Sequence, residues 1–161
     1  MVTNNVETRI GAHKLASPGE GDVRAKKRKT GIPTGHAGEY FVMGELLRRG
    51  FDPQHADRNT KGYDVLVGDP TEATLRKVQV KTVRSGGWFV DHSHFRGALL
   101  DQVTIYVLLG KENAKKPVRF FITRNRNLAG DVHTPASYRD HGFMSLKAVA
   151  AYEDRWDILN E

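Results

Sequence analysis

The sequence predicts an α/β domain, a mixed central β-sheet flanked by helices in the order α-β-β-β-α-β-β-α. Three observations predict it. A polar stretch poor in large apolar groups gives way at Thr34 to a helical pattern that runs to Arg49. Two strand patterns, over residues 62–67 and 75–83, flank a polar turn. Residues 102–109, the most apolar run of the chain, precede a further strand pattern over 118–123.

Taken in order, residues 1–33 are rich in Gly, Ser, Thr and Asn and can bury little surface, which predicts a basic, extended N-terminal arm; residues 34–161 are read as the folded domain. Thr34 is placed to cap the first helix, and Ala37, Tyr40, Phe41 and Leu47 form an apolar stripe at helical spacing. Gly50 stops that helix after two arginines that suit the negative end of its dipole. Pro53 makes residues 51–57 an edge strand. The two hairpin strands follow, joined by a turn over 69–74. Arg84-Ser85-Gly86-Gly87 is a flexible turn before Trp88-Phe89-Val90, and residues 94–100 read as a short helix. Residues 102–109 and 118–123 are strands, with 124–142 an irregular excursion after them. Ser145 caps a final helix over 146–151, with a helical tail to Leu159.

The 161 residues amount to one domain, and 25 basic against 19 acidic side chains give a net charge of +6. Seven basic and three acidic residues fall in 1–33, so the excess concentrates around Arg24-Ala25-Lys26-Lys27-Arg28-Lys29. Such a run pairs with phosphates and releases counterions, or serves as a solvated tail. No run of about 18 apolar residues exists, so no spanning helix is expected, and the N-terminus lacks the pattern of a secretory signal. The absence of cysteine excludes disulfides and thiolate metal sites and fits a cytoplasmic protein.

The chemistry concentrates in the hairpin. Asp64 sits inside an apolar strand, and Gln79 and Lys81, two residues apart on the next, point the same way. Folding the second strand back brings Lys81 roughly opposite Asp64. Asp64 is a ligand for a hard metal, the Gln79 side-chain oxygen a neutral one and the Val80 carbonyl a third. Lys81 supplies a cation to orient a water or to meet developing charge. Glu39, about one turn into the first helix, adds a second carboxylate if that helix packs against the sheet. This is the equipment of phosphodiester cleavage.

The arrangement Glu39, Asp64, Gln79-Val80-Lys81 resembles the PD-(D/E)xK nuclease superfamily, the restriction-endonuclease-like fold, over residues 35–123. The superfamily's core order, a helix, a three-stranded meander, a helix and further strands, matches the one read here. By this resemblance Asp64 takes the place of the metal-binding aspartate, Gln79-Val80-Lys81 that of the E-x-K strand, and Glu39 that of the helix-borne glutamate of resolvase-like members. Tyr63 stands where Pro is common. Gln79 replaces the acidic residue, as in Mrr-like restriction enzymes and some homing endonucleases, and leaves the site one negative charge short.

The resemblance implies a DNA endonuclease dependent on Mg²⁺ (or Mn²⁺), leaving a 5′-phosphate, with Asp64, Gln79, Val80 and Glu39 as metal ligands and Lys81 beside them. One domain presents one active site, so cutting both strands implies a homodimer or higher homo-oligomer. Lys26, Lys27, Arg28 and Lys29 of the arm, with Arg58, Lys61 and Arg84 beside the site, are the expected DNA contacts.

Other readings stay open. The same fold with catalysis lost is a nucleic-acid-binding module, and an arm that mediates assembly makes a structural protein. Glu39 alone suits an exposed helix position, and Lys81 suits an edge strand that discourages aggregation. His92 and His94 suit either zinc or a surface loop. Trp88 and Phe89 suit either unpaired bases or a core. Ser85 has no G-x-S-x-G around it, and no glycine-rich phosphate loop or dinucleotide fingerprint occurs, which sets aside serine hydrolases and nucleotide-cofactor enzymes.

Overall fold

The computed structural model describes residues 32–57, 60–68, 75–112 and 115–161. The first helix, α1, is Ile32–Arg48. The strands are β1 (Asp52–His55), β2 (Val65–Gly68), β3 (Leu75–Val83), β4 (Trp88–Asp91), β5 (Val103–Leu108), β6 (Arg119–Arg124) and β7 (His141–Met144), followed by a short helix α2 (Leu146–Val149). Five strands form one sheet in the order β1-β2-β3-β5-β6, in which β3 and β5 run parallel and the other neighbours antiparallel. This is the mixed α/β sheet that the sequence predicts. Most of the proposed arm, including Lys26, Lys27, Arg28 and Lys29, lies outside the described residues, as do Arg58 and the hairpin turn over 69–74. No helix among the described residues is long and apolar enough to cross a membrane.

Helix α1 already contains Ile32 and Pro33, so Thr34 lies within its first turn and is not its cap. Pro33 suits that turn, where its fixed φ is pre-set and its missing N–H has no intrahelical partner. The C-terminal end follows expectation. Gly50 has φ +87°, its N–H donates to the Leu47 carbonyl at 3.0 Å, and the Phe51 N–H donates to Leu46 at 3.1 Å. These are the two bonds of a Schellman cap.

The rotation of α1 departs from expectation. Val42 and Leu46 are fully buried, whereas Tyr40, Phe41 and Leu47 are 69%, 48% and 59% exposed. The cause is Gly38. A Cβ at Gly38 would lie 1.9 Å from Thr82 Oγ1 on β3, so the helix meets the sheet through its one residue without a side chain there. Gly38, Val42 and Leu46 recur every four residues and turn inward together.

β1 is the edge strand that Pro53 predicts. Val78 and Val80 of β3 join Val42, Leu46, Ile105, Ile122 and Trp156 in a core on the α1 side. The alternate residues of β3 face the other side. There Trp88, Tyr106, Phe121, Leu128 and Met144 form a second core, with the Trp88 Nε1–H donating to the Val107 carbonyl at 3.1 Å. Trp88 is therefore a core residue, while its neighbour Phe89 is exposed.

The crossover between the parallel strands also differs. Instead of a helix over 94–100 it holds β4 and two short 3-10 turns, His92–Phe95 and Gly97–Asp101, separated by an extended Arg96. Gly97 has φ +54°, which no continuous right-handed helix accepts. β4 pairs antiparallel with β7 in a second, two-stranded sheet, so the end of the expected excursion over 124–142 is a strand. Ser145 caps α2 as expected, its Oγ accepting the Ala148 N–H at 3.2 Å. The helix then lasts one turn, and Asp154 at φ +53° breaks the expected tail into 3-10 turns.

Candidate active site

The site begins where β2 stops pairing. Val65 pairs with Val78, and the Asp64 N–H still donates to the Val78 carbonyl at 2.9 Å. Continuing that register puts Asp64 opposite Gln79, with Lys81 one pleat further along the same face, not directly across from Asp64. On its outer side the Asp64 carbonyl accepts the Ala56 N–H at 2.9 Å, which ties the backbone to the segment after β1. The approach is set by Gly62 at φ +91°, whose carbonyl accepts a hydrogen bond from the Gln102 side-chain amide.

Beyond Asp64, β2 no longer covers β3, and the Val80 N–H would be left bare. The Asp64 carboxylate takes it, Oδ2 accepting the Val80 N–H at 2.8 Å and a second hydrogen bond from the Gln79 Nε2. The Val80 carbonyl lies on the same edge. The Val83 carbonyl accepts the Leu109 N–H on the β5 side, and carbonyls alternate along a strand, so Val78 and Val80 present theirs toward β2. Past the end of β2 that carbonyl faces the Asp64 carboxylate's side of the notch.

Charge in the notch is held against burial. Burial pushes the Asp64 carboxyl above its usual range; the Val80 N–H, Lys81, His94 and His55 oppose that rise. Burial likewise lowers Lys81, against the pull of Asp64 and Asp91. His94 is lowered by burial and by Lys81, with Asp91 and Asp64 opposing. Asp64, Lys81 and His94 are thus each shifted by burial toward the neutral form.

Glu39 approaches Asp64 from α1. It lines a cleft of about 670 Å³ together with His36, Tyr40, His55, Tyr63 and Asp64, and its Oε2 lies 3.7 Å from His55 Nδ1. α1 packs on the face of β3 opposite to Gln79 and Lys81, so Glu39 and Asp64 share a cleft whose lining does not include Gln79, Val80 or Lys81. Gly38, wedged on Thr82, fixes the height of its neighbour Glu39.

Of the residues expected at the site, the structure brings together Asp64, Gln79, Val80 and Lys81, while Glu39 shares with Asp64 the lining of the cleft and lies nearest His55. Lys61 is exposed beside the cleft residue Thr60, and Arg84 follows the end of β3. His92 and His94 diverge. His92 Nε2 lies 3.0 Å from Thr134 Oγ1, while His94 is half-buried within the field of Lys81, Asp91 and Asp64, and among the described residues neither belongs to a group that could hold a metal. The sequence reading missed Asp91 and His55, and it weighed His94 only with His92 and not beside Lys81. Asp91 caps the following turn by accepting the Ser93 N–H at 2.7 Å. Its nearness to Lys81 depends on how β4 folds back, which no local spacing encodes.

The donors suit a hard divalent cation in kind. The free carboxylate oxygen of Asp64, the Val80 carbonyl and Glu39 are oxygen ligands, and rotation of the Gln79 amide would turn its oxygen inward. Among the described residues no group of three or more His, Asp or Glu side chains is gathered to hold a metal.

No protein-family profile matches the chain, and none of the curated proteins does. Among solved structures, a bacterial homing endonuclease is similar over 81% of this chain and 91% of its own, at 18% identity and a TM-score of 0.49.

Proposed function

We propose that this protein is a metal-dependent endonuclease that hydrolyses phosphodiester bonds of DNA. The observation that carries this reading is the Asp64 carboxylate seated on the Val80 N–H at the broken edge of β3, with Gln79 and Lys81 beside it and Glu39 in the cleft that Asp64 lines. Asp64, Glu39, the Gln79 amide oxygen and the Val80 carbonyl would hold Mg²⁺ or Mn²⁺. Bound there, the cation would lower the pKa of a water and offset charge on the phosphate.

The chain's own groups supply the rest. Lys81, depressed by burial, holds the attacking water or meets the negative charge that builds on the phosphoryl oxygens. The water's oxygen bonds to phosphorus as the bond to the 3′ oxygen breaks, giving a 5′-phosphate and a 3′-hydroxyl. The proton lost by water is the one the 3′ oxygen gains, through the carboxylates or solvent. Lys61 and Arg84 flank the notch as phosphate contacts; Arg58 and the 26–29 run, outside the described residues, are assigned to DNA by their charge alone. Cutting both strands takes two copies.

The test is nicking of supercoiled DNA with Mg²⁺ or Mn²⁺, lost in Asp64→Ala and in Lys81→Ala; undiminished cleavage in both variants overturns the assignment. One observation favours a second reading, a DNA-binding module without catalysis. Gln79 donates to Asp64 through its nitrogen, so the carboxylate is satisfied without a cation. Salt-steep DNA binding that is indifferent to metal, with no cleavage, would establish that reading instead.

A further inference from the structure

We infer that the outward face of α1 docks a second copy of this chain, the two helices running antiparallel about a two-fold axis at Gly44. At about 100° per residue, Ala37, Tyr40, Phe41, Gly44, Leu47 and Arg48 share one stripe about 120° wide, centred on Gly44 and opposite the Gly38-Val42-Leu46 face that meets the sheet. Three large apolar side chains of this stripe are about half exposed or more, Tyr40 at 69%, Phe41 at 48% and Leu47 at 59%. Isolated exposed apolar groups are ordinary; a continuous stripe of them along one helix marks an interaction surface.

Gly44 sits at the stripe's middle in the interior of a 17-residue helix, where glycine weakens the helix, and a Cβ there would meet nothing within 4 Å. Nothing among the described residues calls for glycine at that position. A second helix backbone crossing there does.

The stripe is complementary to itself. A two-fold axis through Gly44 sets residues equally far before and after it side by side. Phe41 then packs on the partner's Leu47, Tyr40 lies against the partner's Arg48, and each contact occurs twice. Arg48 is suited to cover a ring. Glu45 holds its Nη2 at 2.9 Å from one edge, which leaves the flat guanidinium face free to lie over tyrosine. The other candidates for this surface match it less well. Residues 1–31 contain no Phe, Tyr or Trp and carry a net positive charge that Arg48 repels, and DNA offers phosphates to a stripe whose centre is apolar. The dimer would also bear on the cleft. Tyr40 lines the Asp64 cleft and packs on His55 with centroids 5.5 Å apart, so the partner's Arg48 would close one side of its mouth.

This inference does not depend on the nuclease reading, and its test needs no DNA. Sedimentation velocity of the full chain over a wide concentration series should show a monomer–dimer equilibrium. Phe41→Glu and Leu47→Lys should each raise the dissociation constant at least about tenfold, with far-UV circular dichroism unchanged and melting unchanged at concentrations where the wild type is monomeric. Mixing the two variants should restore dimer, because Glu at 41 of one copy meets Lys at 47 of the other while the second contact stays native. A chain that is monomeric at every concentration, a dimer indifferent to both variants, or a mixture that fails to reassociate would overturn the proposal.

Discussion

The Asp64 carboxylate accepts the backbone N–H of Val80 at 2.8 Å, occupying the position from which β2 would have continued its ladder. The carboxylate proposed to hold the metal is also the cap of a broken sheet edge. Removing its charge and removing its hydrogen bond are therefore separable. Asp64→Asn keeps an acceptor for Val80 and should cost roughly 1 kcal/mol or less, whereas Asp64→Ala leaves that donor unmet and should cost about 1–3 kcal/mol. Both should lose cleavage by at least about a hundredfold. Urea denaturation beside a nicking assay checks the split.

Gln79→Glu should move stability and metal affinity in opposite directions. The variant replaces the amide that donates to Asp64 by a second carboxylate, and two such groups in contact resist ionising together. Metal-free protein should lose about 1–3 kcal/mol at neutral pH. Mn²⁺ should bind about tenfold more tightly and raise the melting temperature more than it does in the wild type. Calorimetric titration and thermal melts with and without Mn²⁺ measure both.

Lys81 gives a pH signature. Its folded value is lowered by burial from the ordinary 10.5. Between the lowered value and 10.5 the unfolded chain binds a proton that the folded chain does not, so stability rises with pH across that window. Above it the burial penalty is gone, and below it the penalty is fully present. Lys81→Met carries no such proton. The stability difference between wild type and Lys81→Met should therefore shift in the wild type's favour as pH rises toward 10.5 in metal-free buffer, followed by denaturant titrations at several pH values. Asp64, raised by burial, works the other way, its stability contribution being present at acid pH and lost as pH rises through its folded value.

The approach of α1 to the sheet predicts a contrast between two glycines of one helix. Gly38→Ala drives a methyl into Thr82 and should cost about 1–3 kcal/mol. It should also lower cleavage, by displacing Glu39. Gly35→Ala meets nothing within 4 Å and should stabilise by roughly 0.5–1 kcal/mol. Thermal melts of the two variants check this directly.

How far the sequence discloses the molecule follows from where its signals are local. Strand alternation puts Gln79 and Lys81 on one face, the hairpin returns them to Asp64, and both are visible in a few residues. The Schellman end of α1, the edge position of β1 and the Ser145 cap rest on single residues, Gly50, Pro53 and Ser145, with fixed conformational roles. The rotation of α1 is not local. Its pattern carries two apolar stripes, and contact between Gly38 and Thr82, 44 positions apart, decides between them. Likewise β7 becomes a strand through pairing with β4, from Trp88↔Met144 to Asp91↔His141. That fold-back carries Asp91 and His94 to Lys81, so these site neighbours are seen only once the chain has folded. Glu39 is the intermediate case, since its residue type points to the cleft and only the packing of Gly38 delivers it there.

Nicking of supercoiled DNA by wild type and Asp64→Asn, side by side with Mg²⁺ and with a chelator, bears most directly on the proposed chemistry. The wild type should nick with Mg²⁺ and stop with chelator while staying folded, because Val80 and Gln79 satisfy Asp64 without a cation; Asp64→Asn should bind DNA and leave it intact. Nicking by Asp64→Asn at the wild-type rate, or wild-type nicking that persists in chelator, would contradict it.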